Sequence, residues 1–274
     1  MVILPSVAII GTGSMGGAIL SGLLSPSVSV SGGIRVTNRS EAKAAALRST
    51  HVTSLSIERD SGANRAAVAG ASIVLVAVKP HLVPAVLSEI ADALGPGAIV
   101  VSVAAGVRID TMEALVDAPV LRAMPNTPST VGRGVTGVSA GSRVSDDEVA
   151  VITALFGTVG AVLEVPESRI DALSAISGSG PAYVFLLIEE LERTAFKLGF
   201  TKKEARVMVE TTFLGASELL EASGETPVEL RRRVTSPRGT TERAIEVLQE
   251  ADLSGVFDRA AAAAIARAKE LAAG

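Results

Sequence analysis

Val7-Ala8-Ile9-Ile10-Gly11-Thr12-Gly13-Ser14-Met15-Gly16-Gly17-Ala18-Ile19-Leu20 begins with four apolar residues, the composition of a strand buried on both faces. A glycine turn follows, and then Ala18, Ile19, Gly22, Leu23 and Leu24 recur at helical spacing. Gly11, Gly13 and Gly16 therefore form a G-x-G-x-x-G pattern between a strand and a helix. The first glycine permits the tight turn, the second lets backbone approach a pyrophosphate, and the third lets the helix pack on the strand. With 26 glycines in the chain the pattern alone is weak, so its strand–turn–helix setting carries the dinucleotide reading. The bland alternative is a glycine turn that only packs a βα unit.

Outward from this stretch, strands and helices alternate. Ser25 to Gly33 reads as a loop and Ile34 to Thr37 as the second strand, followed by Asn38-Arg39-Ser40. An NAD-specific fold places Asp or Glu here for the ribose 2′-OH. A neutral amide, a cation and a hydroxyl instead suit a 2′-phosphate, which favours NADP over NAD; the alternative is an exposed turn with an incidental Arg. Glu41 to Leu47 reads as a helix, the segment through Asp60 is polar without clear periodicity, and Asn64 opens another helical stretch. Ser72 to Val78 and Ala98 to Val103 read as buried strands. Their tips, Ala77-Val78-Lys79-Pro80 and Ala104-Ala105-Gly106, lie where this fold class holds ligands. Lys79 reads equally as a phosphate or catalytic group and as a rim lysine, and His81 as structural or exposed. Leu82 to Leu94, Ile109 to Leu115 and Asp146 to Thr158 have helical periodicity; Pro119 to Met124, Gly134 to Ala140 and Val162 to Val165 read as strands. The pattern predicts a doubly wound parallel sheet over residues 1–166.

From Glu167 the strand pattern stops. Ile170 to Gly199 is one long helical pattern, interrupted at Ser177-Gly178-Ser179-Gly180-Pro181, with little of its middle polar. Such a helix needs cover on most sides, which predicts a partner subunit. Helices follow at Lys202 to Ala222, Pro227 to Val234, Thr240 to Glu250 and Leu253 to Ala273, making 167–274 an all-α domain. Between two of them, Val234-Thr235-Ser236-Pro237-Arg238-Gly239-Thr240-Thr241 sets hydroxyls at a helix N-terminus. That suits a small anion or carboxylate; plain N-capping by Thr240 is the other reading.

The bulk numbers exclude several classes. At 274 residues and 48% hydrophobic content, the chain is long enough for one large domain or two smaller ones. A net charge of -4 offers no general attraction to nucleic acid or anionic membrane. No apolar run is expected to reach the roughly 18 residues of a membrane span, and the start lacks a secretory pattern. Zero Cys removes disulfides, thiolate metal sites and a Cys nucleophile, and two His leave no material for a multi-His metal site. No metal site is expected, and the expected compartment is the cytoplasm. Any chemistry must need little help from side-chain acids and bases.

With these pieces in place the chain resembles the pyrroline-5-carboxylate reductases nearly end to end, through VAIIGTGSMGGAIL, AVKP, MPNTP, SGSGPAY and, most specifically, Val234 to Thr241. The resemblance implies an N-terminal Rossmann-type NAD(P) domain and a C-terminal helical domain that interlocks in a homodimer, often within a higher ring such as a decamer. It implies that Gly11, Thr12, Gly13, Ser14, Met15, Gly16, Asn38, Arg39, Ser40, Asn64, Ala77 to Pro80 and Ala104 to Gly106 hold the cofactor. Ser236, Gly239, Thr240 and Thr241 would hold the substrate carboxylate, with Asn126 near the nicotinamide pocket, and Ser236 and Thr241 are the catalytic candidates. Arg238 departs from the family, which usually has a small residue there. The implied reaction is hydride transfer to the C=N carbon of a small cyclic imine, which can enter already protonated and so needs no dedicated acid. A β-hydroxyacid dehydrogenase would share the fold but needs a Lys on the first long helix, where this chain has none before Lys197. A non-catalytic cofactor-binding protein would leave the hydroxyl loop without purpose.

Overall fold

The computed structural model describes residues 1–273, with side chains to residue 270. The elements run β1 (Val2–Leu4), β2 (Val7–Ile10), α1 (Ser14–Leu23), β3 (Val28–Val30), β4 (Ile34–Asn38), α2 (Glu41–Leu47) and β5 (Val52–Ser56). Then come α3 (Ala63–Val68), β6 (Ile73–Val76), α4 (Val83–Ile90), β7 (Ile99–Ser102), α5 (Ile109–Glu113) and β8 (Val120–Met124). The sheet portion closes with β9 (Gly134–Ala140), α6 (Asp146–Gly157) and β10 (Gly160–Glu164). The rest is helical: α7 (Ile170–Leu173), a π turn at Ser174–Gly178, α8 (Gly180–Lys197), α9 (Lys202–Ser223), α10 (Pro227–Arg233), α11 (Thr240–Glu250) and α12 (Leu253–Ala273).

Eight strands form one sheet in the order β10-β9-β8-β7-β6-β2-β4-β5. β2 sits near its middle, paired in parallel with β4 and β6, so Ile9 lies between Val36 and Leu75. Because side chains alternate along a strand, the continuous apolar runs feed two cores. Ile9, Val36, Leu75 and Val101 pack with Ile19 and Leu23 of α1 and Phe156 of α6. Ile10, Val74, Val76 and Val100 pack on the opposite face with Leu87 of α4 and Met112 of α5. Each fully buried Ile, Leu or Val contributes about 1.5–3 kcal/mol, and these strands are dense in them.

Three expectations are corrected. The loop read over Ser25 to Gly33 contains β3, which pairs with β1 in a small second sheet. The polar stretch before Asp60 contains β5, an edge strand of the main sheet. The sheet is not wholly parallel either, since β9 runs antiparallel to β8 and β10 follows β9. Elsewhere the elements fall where the periodicity puts them, with ends shifted by one to four residues.

The chain divides into two compact units, Met1–Ser179 with Ala264–Gly274, and Gly180–Ala263. In the second unit α8 and α9 pack on each other, yet only Ala195, Ala205 and Val209 of the two helices are buried. Val184, Phe185, Leu186, Leu187 and Leu191 of α8 stay exposed. The run Glu167–Lys197 has a mean hydropathy of 1.3 with 11% of its apolar window buried. By length and composition it would reach across a membrane, which corrects the expectation that no stretch comes near that size.

Candidate active site

The fingerprint glycines differ in what each makes possible. Gly11 has φ +90, and a Cβ there would lie 3.1 Å from the Ala77 carbonyl oxygen. A Cβ on Gly16 would lie 2.2 Å from the Gly11 carbonyl oxygen, so α1 can close on β2 only through a glycine. A Cβ on Gly13 would meet nothing within 4 Å. That open space faces the start of α1, whose N-cap residue Gly13 brings no side-chain hydrogen bond to the free N–H groups. Gly13, Ser14 and Met15 thus leave both room and donors for an anion.

A cavity of about 430 Å³ opens beside this turn, at the carboxyl ends of β2, β4 and β6. Gly11, Asn38, Arg39, Asn64, Ala77, Val78 and Lys79 all line it. Thr12 donates its hydroxyl to Asn38 Oδ1, which leaves Asn38 Nδ2 buried without a partner. The hydroxyl of Thr37 is likewise buried and unpartnered. Orphaned donors beside an open glycine turn are what a bound dinucleotide would satisfy, so the residues fit that group. Ser40 caps α2 without spending its hydroxyl on the cap, while the Glu41 backbone N–H donates to Glu58 Oε2 at 2.9 Å. Glu41 itself is held below the usual carboxylate range, first by its hydrogen bond from Arg48.

The other strand tips sit differently. Ala104-Ala105-Gly106 follow β7, and Gly106 lines a second cavity with Arg108, Arg122, Glu167, Ser168 and Asp171. Arg122, 5% exposed, pairs with Glu167 at 3.3 Å and Asp171 at 3.1 Å. Asn126 is bound at both ends of its amide: Oδ1 accepts from the Val135 N–H at 2.8 Å, and Nδ2 donates to the Ser177 carbonyl at 2.9 Å. It holds the π turn to the end of β8.

The hydroxyl loop belongs to the second unit. Ser236 to Gly239 forms a turn closed by the Gly239 N–H donating to the Ser236 carbonyl at 2.9 Å. Arg238 takes φ 61 within it, and its N–H donates to Glu242 Oε2 at 2.7 Å. The N-cap of α11 is Gly239, with Thr240 and Thr241 as the first helical residues. N-capping by Thr240, the alternative left open above, is not what the loop does. Among the described residues no group of three His, Cys, Asp or Glu side chains converges as a metal site would require.

Sequence reasoning missed the far wall of the dinucleotide cavity, made by Ile57, Ser61, Leu82, Ala85, Val86 and Glu89. The available signal was the spacing on α4 and the turn before it, which puts 82, 85, 86 and 89 on one stripe.

Comparison with known proteins agrees with this layout. Residues 167–271 match the family model described as pyrroline-5-carboxylate reductase dimerisation, and residues 6–106 match NADP oxidoreductase coenzyme F420-dependent. A pyrroline-5-carboxylate reductase of Corynebacterium melassecola is 40% identical over 97% of this chain and 98% of its own. The solved pyrroline-5-carboxylate reductase of Coxiella burnetii superposes with a TM-score of 0.88 at 38% identity, covering 97% of each chain. The Plasmodium falciparum pyrroline carboxylate reductase, solved with NADP bound, has a TM-score of 0.80 at 25% identity over 97% of this chain and 98% of its own. Sequence, fold and the helical half agree from end to end, and the chain belongs to the pyrroline-5-carboxylate reductase family.

Proposed function

We infer that this protein is a pyrroline-5-carboxylate reductase, which reduces the C=N bond of 1-pyrroline-5-carboxylate to give L-proline in proline biosynthesis. The observation that carries this is the full-length relationship to reductases of that name, helical portion included. The reduced nicotinamide supplies the hydride when bound. Gly11 to Gly16, Asn64 and the tips Ala77 to Pro80 and Ala104 to Gly106 hold and orient it. Ser236, Gly239 and Thr240 take the substrate carboxylate at the head of α11, and the Thr241 hydroxyl holds the ring nitrogen. A protonated imine is already a strong hydride acceptor, so orientation and a fixed polar setting do the rest. Asn126 would serve the nicotinamide pocket through the second hydrogen of Nδ2 or the second lone pair of Oδ1, since one hydrogen and one lone pair of its amide are already engaged.

The cofactor is NAD(P)H, and we read NADPH as preferred over NADH. Arg39, the Ser40 hydroxyl, which makes no cap hydrogen bond, and the orphaned Asn38 amide support a 2′-phosphate, the neighbouring Glu58 carboxylate being engaged by the Glu41 N–H. The domains divide as residues 1–166 for cofactor and 167–274 for substrate and dimerisation. The apolar stripe of α8 is covered by a second copy, which accounts for its hydropathy without a membrane. A dimer results, and sedimentation would distinguish it from a ring such as a decamer. The reaction's need for reduced cofactor supports the cytoplasm as its compartment.

The test follows loss of reduced-nicotinamide absorbance with pyrroline-5-carboxylate, using NADPH and NADH in parallel. Faster loss with NADPH is expected. No loss with either, in folded protein that binds NADPH, would overturn the reductase reading.

A further inference from the structure

Glu89 closes the end of the dinucleotide cavity farthest along α4, beyond an apolar stretch formed by Ile57, Leu82, Ala85 and Val86. Its Oε2 accepts a hydrogen bond from Asn64 Nδ2 at 3.0 Å. A carboxylate can only accept here, so it fixes which way the Asn64 amide faces. Asn64 is 3% exposed, and its Oδ1 is left buried with no partner. Arg65 adds no competing ion pair, because its guanidinium is engaged by Asp92 and by the backbone carbonyl of Glu89. Two polar side chains therefore meet at the cavity wall: Glu89 keeps only acceptor capacity for a guest, while Asn64 keeps its Oδ1 acceptor and the second hydrogen of Nδ2.

Resting on the dinucleotide reading above, we propose that Glu89 recognises the 6-amino group of the cofactor's adenine and determines which base the site accepts. The β4 tip with Asn38 and Arg39 suits the ribose end, and the apolar stretch suits a flat ring. The ring edge then reaches an acceptor fixed by Asn64. Adenine offers an N–H donor at that edge. Hypoxanthine carries an oxygen at the same position, which would face the carboxylate acceptor to acceptor. A site built around a hydrogen bond rejects the analogue that cannot make it, because its own polar group is then left unpaired.

The test is direct binding, followed by fluorescence or calorimetry without substrate, of NADPH and of its deamino analogue bearing hypoxanthine. The wild-type protein is expected to bind NADPH about tenfold or more tightly than the analogue. In Glu89→Gln the amide oxygen still accepts from Asn64, while its nitrogen can donate to the hypoxanthine oxygen. Discrimination is then expected to fall to about twofold or to reverse. Glu89→Ala should also lose discrimination while still binding both. Equal binding of the two nucleotides by the wild-type protein would overturn the role of Glu89 and leave the dinucleotide site standing. Failure of the wild-type protein to bind either would instead overturn the dinucleotide reading itself.

Discussion

Leu87 of α4 and Leu191 of α8 are the same side chain on two helices, yet the first is 0% exposed and the second 47%. The difference runs through the whole molecule. In the sheet unit every residue of β2, β6 and β7 is buried, and the flanking helices each spend one face on that sheet. In the helical unit α8 and α9 have chiefly each other, and most of the apolar surface of α8 remains uncovered. A sheet with helices on both faces satisfies its own apolar surface. A pair of helices does not, and the surplus is the part of the sequence that a second copy must answer.

A charge on that surplus should have the largest effect. Leu187→Arg is expected to halve the sedimenting mass, because an unpaired charge at an interface core costs several kcal/mol. Unchanged mass would mean that α8 is not the contact. Core truncation comes next and sharpens the contrast: Leu87→Ala should cost about 2–5 kcal/mol at any protein concentration. Leu191→Ala should instead lower the melting temperature in a concentration-dependent way, as expected when folding and assembly are coupled. Identical concentration dependence for both would erase the distinction between the two regions. Gly16→Ala should cost on the order of 1–3 kcal/mol through the clash with the Gly11 carbonyl and weaken NADPH binding with it; calorimetry would measure both.

The smallest effect concerns pH in the helical unit. Thr201 and Glu204 cap α9 reciprocally, and the hydrogen bond from the Thr201 hydroxyl holds the Glu204 carboxyl below its usual range. A lowered native value means that this stabilisation is complete above the ordinary carboxylate range and is lost as pH falls through the lowered value. Thr201→Ala should lower the melting temperature by roughly 2–4 °C at neutral pH, with the gap to wild type narrowing in acid. A gap independent of pH would assign the effect to something other than this cap.

How far the sequence could be read follows from the same contrast. β2, β6 and β7 were legible because fully buried parallel strands are continuous apolar runs. β5 was not, because Ser54 and Ser56 are buried where apolar residues would be expected. β3 hid behind serines that alternate with valines. The reversal of β9 and β10 left no trace, since periodicity reports burial and carries no direction. In the cofactor site the glycine turn and the strand tips were legible, as chemistry tied to element ends. Glu89 was not, because an acidic residue on a helix looks like any solvated one until the Asn64 contact is seen.

The reversed pair also decides where the chain leaves the sheet. β8 finishes at the ligand end with the parallel strands beside it, while β9 turns back from there and β10 repeats its direction. The register sets both high, so the last residue of β10, Glu164, lies beside Val138, which faces Ala123 next to the end of β8. The next segment therefore starts beside the end of β8 and has no length of the sheet to recross. It is held at that level by Glu167, which accepts from the Ile109 N–H and pairs with Arg122, then passes Leu173 over Gly137 and reaches Asn126 through Ser177. The stagger of the reversed pair thus delivers the chain to Gly178 beside the end of β8, where a Cβ would lie 3.9 Å from the Met124 side chain.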